Sequence, residues 1–322
     1  MYDSTEAVRF IKEHQSFLVL GHKEPDGDCV ASQLGLAALL RALGKEVSLH
    51  SVGPFDRPEI SQYEAQFSGD IPAQRRTGSA VVIADCSTPD RTGRLGDLVQ
   101  GLPTLVIDHH SAGEKFGTAR MVDSSAPSST MLVLALFDAF GKDPDLATAR
   151  LLLFGLCTDT GFFRHLAGGT QETYRSVARL VELGTSTAEM YMMVFGGREL
   201  ASRRLLAEML TRAESHAGGR LILTWQTIED RRRLDVHQRG EDELYRLLQT
   251  VDGNTVVALI KQEGDEQFSV GLRSTPAVDV GVVAASFGGG GHRQASGFDI
   301  RGTLESIKKS VLAALLPLVD GK

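Results

Sequence analysis

Three short runs of the chain, residues 17–20, 80–84 and 104–107, are apolar and rich in Val, Ile and Leu. Continuous apolar runs of this length are strands buried on both faces, and such strands belong to parallel sheets. Parallel strands need crossover connections, normally helices, so the first half of the chain is constrained to a doubly wound α/β layer. In an open sheet of that kind, ligands bind beyond the carboxyl ends of the strands. His22, Asp85 and Asp108 follow the three runs. They should therefore face one crevice.

The segments between the runs agree. Residues 29–43 carry apolar positions at Leu34, Ala37, Ala38 and Leu40 and stop at Gly44, a helix with a glycine C-cap. A further strand follows at 46–52, and helices take over at 128–140, 145–157 and 170–183. Composition changes around residues 184–204, where Gly184-Thr-Ser-Thr and Gly196-Gly197-Arg198 mark a linker carrying a short helix. Beyond it the spacing predicts strands at 220–227, 254–261, 267–273 and 295–300, with helices at 241–251, 280–287 and from Leu304 onward. The expectation is a larger α/β domain over 1–185, a linker over 186–204, a smaller α/β domain over 205–322, and a cleft between the two. At 322 residues the chain has length for a core in each.

Four segments then carry the chemistry: His22-Lys-Glu-Pro-Asp26-Gly-Asp28, Asp85-Cys-Ser, Asp108-His109-His110 and Thr158-Asp159-Thr160-Gly161. Each places Asp or His where an apolar element runs out. Asp-Gly-Asp alone is a common solvated turn, and an Asp at a strand end often caps the next helix. Taken jointly, this many carboxylates in one crevice raise each other's pKa unless cations neutralise them. The set therefore implies metal, and enough ligands for two ions. Oxygen donors with a few imidazoles suit Mn²⁺ foremost, with Mg²⁺ or Co²⁺ as alternatives, better than zinc. Two ions roughly 3.5–4 Å apart activate water and stabilise the oxygens of a phosphate ester undergoing hydrolysis. One carboxylate must bridge them, and an Asp on a central strand is best placed. No G-x-S-x-G elbow competes with this reading.

The three cysteines, Cys29, Cys86 and Cys157, form no C-x-x-C pair, and each lies within two residues of Asp28, Asp85 or Asp159. Their size suits packing beneath a metal site. In the second half, the run Gly288-Gly289-Gly290-Gly291-His292-Arg293 would let backbone N–H groups approach an anion, with Arg273 at the end of a strand in reach. The spacing is neither G-x-G-x-x-G nor a Walker A, which excludes nucleoside triphosphate binding by those routes. A net charge of −7 argues against duplex nucleic acid or an anionic membrane as partner. The longest apolar stretches fall short of a membrane span, and the start of the chain lacks the pattern of a signal peptide. A cytoplasmic setting is the expectation.

Together these residues resemble the DHH phosphoesterase superfamily, in the branch that carries a DHH-associated C-terminal domain, over nearly the whole chain. The resemblance implies that His22 and Asp26 hold one metal, that Asp28, His109 and Asp159 hold the other, and that Asp85 bridges. It implies that His110 contacts the scissile phosphate and that Asp108 orients the pair. Arg273, Gly289, Gly290, Gly291 and His292 would bind the substrate's other phosphate or base. The implied activity is hydrolysis of short oligoribonucleotides to mononucleotides and of 3′-phosphoadenosine 5′-phosphate (pAp) to AMP. Action on cyclic di-AMP or linear dinucleotides is the alternative. The partners are then short single-stranded RNA or DNA oligonucleotides or small nucleotides, and the resemblance leaves room for a homodimer. Pyrophosphate- or polyphosphate-cleaving relatives would carry a basic Arg-Lys box in place of the Gly-His run. A nucleotide sensor or RNA-binding module without catalysis would show damaged metal ligands. A long-substrate exonuclease would need further domains.

Overall fold

The three apolar runs become adjacent strands of one sheet. A computed structural model of the chain describes residues 2–111, 113–166, 171–236 and 241–320. Its first sheet holds β1 (Ser16–Leu20), β2 (Glu46–His50), β3 (Ala80–Ala84), β4 (Thr104–Asp108) and β5 (Ala119–Val122). The order is β2-β1-β3-β4-β5, and every pairing is parallel. Alternation along the strands feeds two layers. Phe17, Val19, Val82, Leu105 and Ile107 face a core shared with the helices Gly27–Ala42, Ser129–Ala139 and Leu146–Asp159. Leu18, Leu20, Val81 and Ile83 face a smaller cluster with Ile71, Leu95 and Val99. Each such side chain is buried, which stabilises the fold by roughly 1.5–3 kcal/mol apiece. The strand order reverses between β1 and β3, so the crevice at that switch point lies between the residues that follow those two strands.

Two glycines let the helices close in over that crevice. A Cβ at Gly27 would sit 2.4 Å from Thr158 Oγ1, and one at Gly155 would sit 2.5 Å from Thr130 Cγ2 and 3.0 Å from Ala31 Cβ. The close approach brings the start of Gly27–Ala42 to the end of Leu146–Asp159.

The chain divides into two compact units, Met1–Gly197 and Arg198–Lys322. The stretch 186–204 holds the helix Thr187–Phe195, anchored in the first core through Met190, and the start of the helix Leu200–Thr211. The second unit has a six-stranded mixed sheet: β6 (Glu214–His216), β7 (Leu221–Gln226), β8 (Val256–Gly264), β9 (Gln267–Ser274), β10 (Gly290–His292) and β11 (Ala295–Arg301). The order is β10-β11-β9-β8-β7-β6, antiparallel except for the parallel β7–β8 pair. One face packs on the helix Leu304–Asp320 through Val270, Leu272, Phe298, Val311 and Leu315. The other packs on Leu200–Thr211 and Glu241–Leu248 through Val257, Leu259, Leu206 and Tyr245. The strands β5 and β6 and the N-terminal helix Thr5–Glu13 have no counterpart in the sequence reading. Thr170, the expected first residue of the helix found at Gln171–Glu182, lies outside the described residues. Among the described residues no helix is long and apolar enough to cross a membrane.

Candidate metal centre

Each acid and imidazole of the crevice is set by the element it ends or begins. Asp26 is the N-cap of Gly27–Ala42 and accepts from Cys29 N at 3.0 Å, so the turn expected around Gly27 is the first turn of a helix. Asp28 lies inside that first turn and is fully buried. Its two oxygens accept from Ser129 N at 2.6 Å and Thr130 N at 3.0 Å, the free amides at the start of Ser129–Ala139. Asp85 follows β3 in left-handed backbone, φ 56°, a conformation that costs a non-glycine residue and is kept where the surroundings demand it. Ser129 Oγ donates to its Oδ1 at 2.9 Å.

The imidazoles are oriented by their Nδ1 atoms. His22 Nδ1 lies 2.8 Å from Lys23 O, and His109 Nδ1 lies 3.3 Å from Ala126 O. Protonated there, each ring turns an Nε2 lone pair toward the acids. His22 Nε2 is 3.6 Å from Asp85 Oδ2 and 3.8 Å from Asp26 Oδ1. His109 Nε2 is 3.6 Å from Asp85 Oδ1, 3.5 Å from Asp159 Oδ2 and 3.9 Å from Asp28 Oδ2. His109 Nε2 is buried and has no hydrogen-bond partner among the described residues. Asp85 thus offers one oxygen to each imidazole. Atoms that share one ion at about 2.0–2.2 Å stand about 3–3.5 Å apart at ordinary ligand angles, close to these separations. The residues fit divalent cations.

Electrostatics supports the same conclusion. Burial, followed by the carboxylates of Asp85, Asp159 and Asp26, holds Asp28 well above the usual carboxylate range. Burial also pushes Asp159 up, to about 6, with His109 opposing it and Asp85 and Asp26 adding to it. Burial disfavours charge on His22, yet Cys29, Asp26 and Asp85 outweigh it and raise the ring's basicity. A cluster that crowds acids this closely is short of positive charge.

His110 differs from its neighbour. Its Nδ1 is 2.7 Å from Asp108 Oδ1, a contact that raises its pKa, and the side chain is 37% exposed. Asp85, His109 and His110 bring donor atoms within 4.8 Å of one another, but the Nδ1 of His110 is already committed to Asp108. Cys29, whose size suits packing, places its thiol within 4.8 Å of donor atoms of both His22 and Asp85. Ser129 was not singled out at all. The one signal for it was the polar run Ser128-Ser129-Thr130 ahead of an apolar helix.

The residues singled out in the second half sit on its sheet. Arg273 is on β9, and Gly290, Gly291 and His292 make the short edge strand β10. Gly289 N donates to Ala284 O at 2.9 Å. The glycine run is therefore a strand with a helix-capping start, whereas the sequence suggested a loop of free N–H groups.

Comparison with known proteins gives consistent matches. The model of the DHH family, N-terminal domain, matches residues 16–156, and that of the DHHA1 domain matches 226–317. The chain is 31% identical over 299 residues to the bifunctional oligoribonuclease and PAP phosphatase NrnA of Thermus thermophilus, covering 91% of this chain and 87% of that protein. It is 21% identical to the cyclic-di-AMP phosphodiesterase PdeA of Listeria monocytogenes, covering 95% of this chain and 48% of that one. Among solved structures, an exopolyphosphatase-related protein from Bacteroides fragilis superposes with a TM-score of 0.87 at 21% identity, covering 99% and 98% of the two chains. Exonuclease RecJ bound to manganese superposes with a TM-score of 0.52 at 16% identity, over 100% and 96%.

Proposed function

The chain belongs to the DHH family, in the branch with a DHHA1 domain, and from that premise we propose that it is a metal-dependent phosphoesterase hydrolysing short oligoribonucleotides to mononucleotides and pAp to AMP. The observation that carries the chemistry is Asp85, whose two oxygens face His22 and His109 separately at 3.6 Å. We assign His22 and Asp26 to one divalent ion, Asp28, His109 and Asp159 to a second, and Asp85 to both. Mn²⁺ is the ion that this mixture of carboxylate and imidazole favours, with Mg²⁺ and Co²⁺ next. The ions, when bound, polarise a phosphoryl oxygen and activate water as the nucleophile.

The protein supplies the rest. Asp108 accepts from His110 Nδ1–H, which fixes the ring and raises its pKa, favouring the form whose Nε2–H donates to an oxygen of the scissile phosphate. Ser129 restrains both central acids, through its amide to Asp28 and its hydroxyl to Asp85. Arg273 and His292, with Gly289, Gly290 and Gly291, hold the substrate's remaining phosphate or base.

A product-resolved assay of the purified chain with Mn²⁺ tests the reading on a diribonucleotide, pAp and cyclic di-AMP. Mononucleotide from the first and AMP from the second are expected. Turnover of cyclic di-AMP with neither of the others would replace this reading by the cyclic-dinucleotide alternative.

A further inference from the structure

His22, Asp85 and the first turn of Gly27–Ala42 enclose one more donor atom. Cys29 lies three residues after Asp26, so the two are neighbours across that turn. The sulfur of Cys29 and one ligand atom each of His22 and Asp85 lie within 4.8 Å of one another, and all three residues are buried. Room for the sulfur comes from the residue ahead of His22. A Cβ at Gly21 would collide with Cys29 Sγ and stand 2.5 Å from Gln33 Nε2. Gly21 is not in left-handed backbone, so its missing side chain serves space alone.

Gln33, one turn further along the helix, is fully buried. Its Nε2 donates to Cys29 O at 3.3 Å and to Cys29 Sγ at 3.5 Å. Its Oε1 is buried and has no hydrogen-bond partner among the described residues. A neutral thiol is a weak acceptor, so a buried amide aimed at one gains little for the cost of an unsatisfied oxygen. A metal-bound thiolate is a charged acceptor, and an N–H donated to a ligand from outside is the ordinary way of holding it in place. Gln33 is placed to do that.

We propose that Cys29 Sγ is a further ligand of the ion assigned to His22, Asp26 and Asp85, which gives that site a soft donor the other site lacks. This assignment rests on the two-ion reading above and goes beyond it by making the two ions chemically unequal. Sulfur at about 2.3 Å beside nitrogen and oxygen at about 2.0–2.2 Å is a donor mixture that suits Zn²⁺. Thiophilic ions, Zn²⁺, Cd²⁺ and Co²⁺ among them, should therefore displace Mn²⁺ from the His22 site first. The thiol proton leaves to solvent as the ion enters. The site of Asp28, His109 and Asp159 offers oxygen and nitrogen only and keeps its preference for Mn²⁺ or Mg²⁺.

Co²⁺ titration of the full chain, stripped with EDTA and kept reduced, reads sulfur ligation through the sulfur-to-cobalt charge-transfer absorption and needs no turnover. A band of one-thiolate intensity per chain is expected. Cys29→Ser should remove it. Joint replacement of Cys86 and Cys157 by Ser leaves Cys29 as the one thiol of the chain and should retain it. Gln33→Leu should keep the band and weaken Cd²⁺ binding at that site about tenfold, the usual effect of losing an outer partner of a ligand. Co²⁺ bound to the unsubstituted chain without the band overturns the ligation, as does a band that persists in Cys29→Ser or is missing from the doubly substituted chain. Two bound Mn²⁺ ions in a chain whose Co²⁺ form lacks the band would keep the phosphoesterase reading and remove the thiolate. The band in a protein that cleaves neither oligoribonucleotide nor pAp would do the reverse.

Discussion

A single carboxylate placed between two imidazoles makes a sharp distinction among substitutions testable. Asp85→Asn weakens both metal sites, whereas His22→Ala removes a ligand from one. Mn²⁺ titration followed by electron paramagnetic resonance should show both tight sites lost in the first variant and one retained in the second. The accompanying fall in kcat for Asp85→Asn is expected to be about three orders of magnitude, about 4 kcal/mol of barrier. Retention of two tight sites by Asp85→Asn would remove the bridging role. His110→Ala makes the complementary case, because its Nδ1 is taken by Asp108 and its side chain reaches solvent. It should lower kcat by about a hundredfold or more while still binding two Mn²⁺, a range typical of a lost proton donor or charge stabiliser. Loss of an ion in that variant would make His110 a ligand.

At the scale of elements, the helix Ile228–Leu234 illustrates how local chemistry fixes a start. Thr227 Oγ1 accepts from Asp230 N at 3.1 Å, and Asp230 Oδ2 accepts from Thr227 N at 2.8 Å, a capping box. Asp230 also receives two bonds from Arg212, at 2.6 and 3.1 Å. Burial raises its pKa, but Arg212 and Thr227 outweigh burial and bring it to about 2. A carboxylate depressed in this way stabilises the fold above its unfolded pKa and loses that contribution between about pH 4 and pH 2. Its worth is about 2 kcal/mol. Urea unfolding of Asp230→Asn should show a deficit of that size at pH 7 that shrinks toward pH 2, and a constant deficit would refute the linkage. The strands β1, β3 and β4 were legible because both faces are buried and residues 17–20, 80–84 and 105–107 are all apolar. The strand β5, Ala-Arg-Met-Val at the sheet edge, was not, because it is four residues long and Arg120 interrupts the apolar run. The acids and imidazoles that the structure brings together could be grouped from the sequence because they border apolar elements. Ser129 could not, since its role depends on Asp85, 44 residues away in the chain.

For the molecule as a whole, the two units have separate cores, and the proposed ions belong to the first. Calorimetry should therefore show Mn²⁺ raising one unfolding transition and leaving the other in place. At an ion concentration one hundred times its dissociation constant the gain is about 2.7 kcal/mol. Without metal, the raised pKa values of Asp28 and Asp159 set the opposite pH dependence from Asp230. Asp159, held at about 6, penalises the fold increasingly from about pH 4 to about pH 6 and fully beyond it, and Asp28, held well above the usual carboxylate range, acts in the same direction. EDTA-treated protein should lose stability in its first transition across that window, and Mn²⁺ should restore it. A metal response in both transitions, or none, would contradict the assignment. The second unit raises a different matter at its sheet border. A sheet that leaves a strand unpaired at its margin offers a template on which another chain can polymerise. The bordering strand β10 is three residues long and mostly glycine, so an incoming chain would find few amides to pair with and almost no side chains to interlock. The same bareness that leaves room for a ligand also makes the margin a poor seed for fibres.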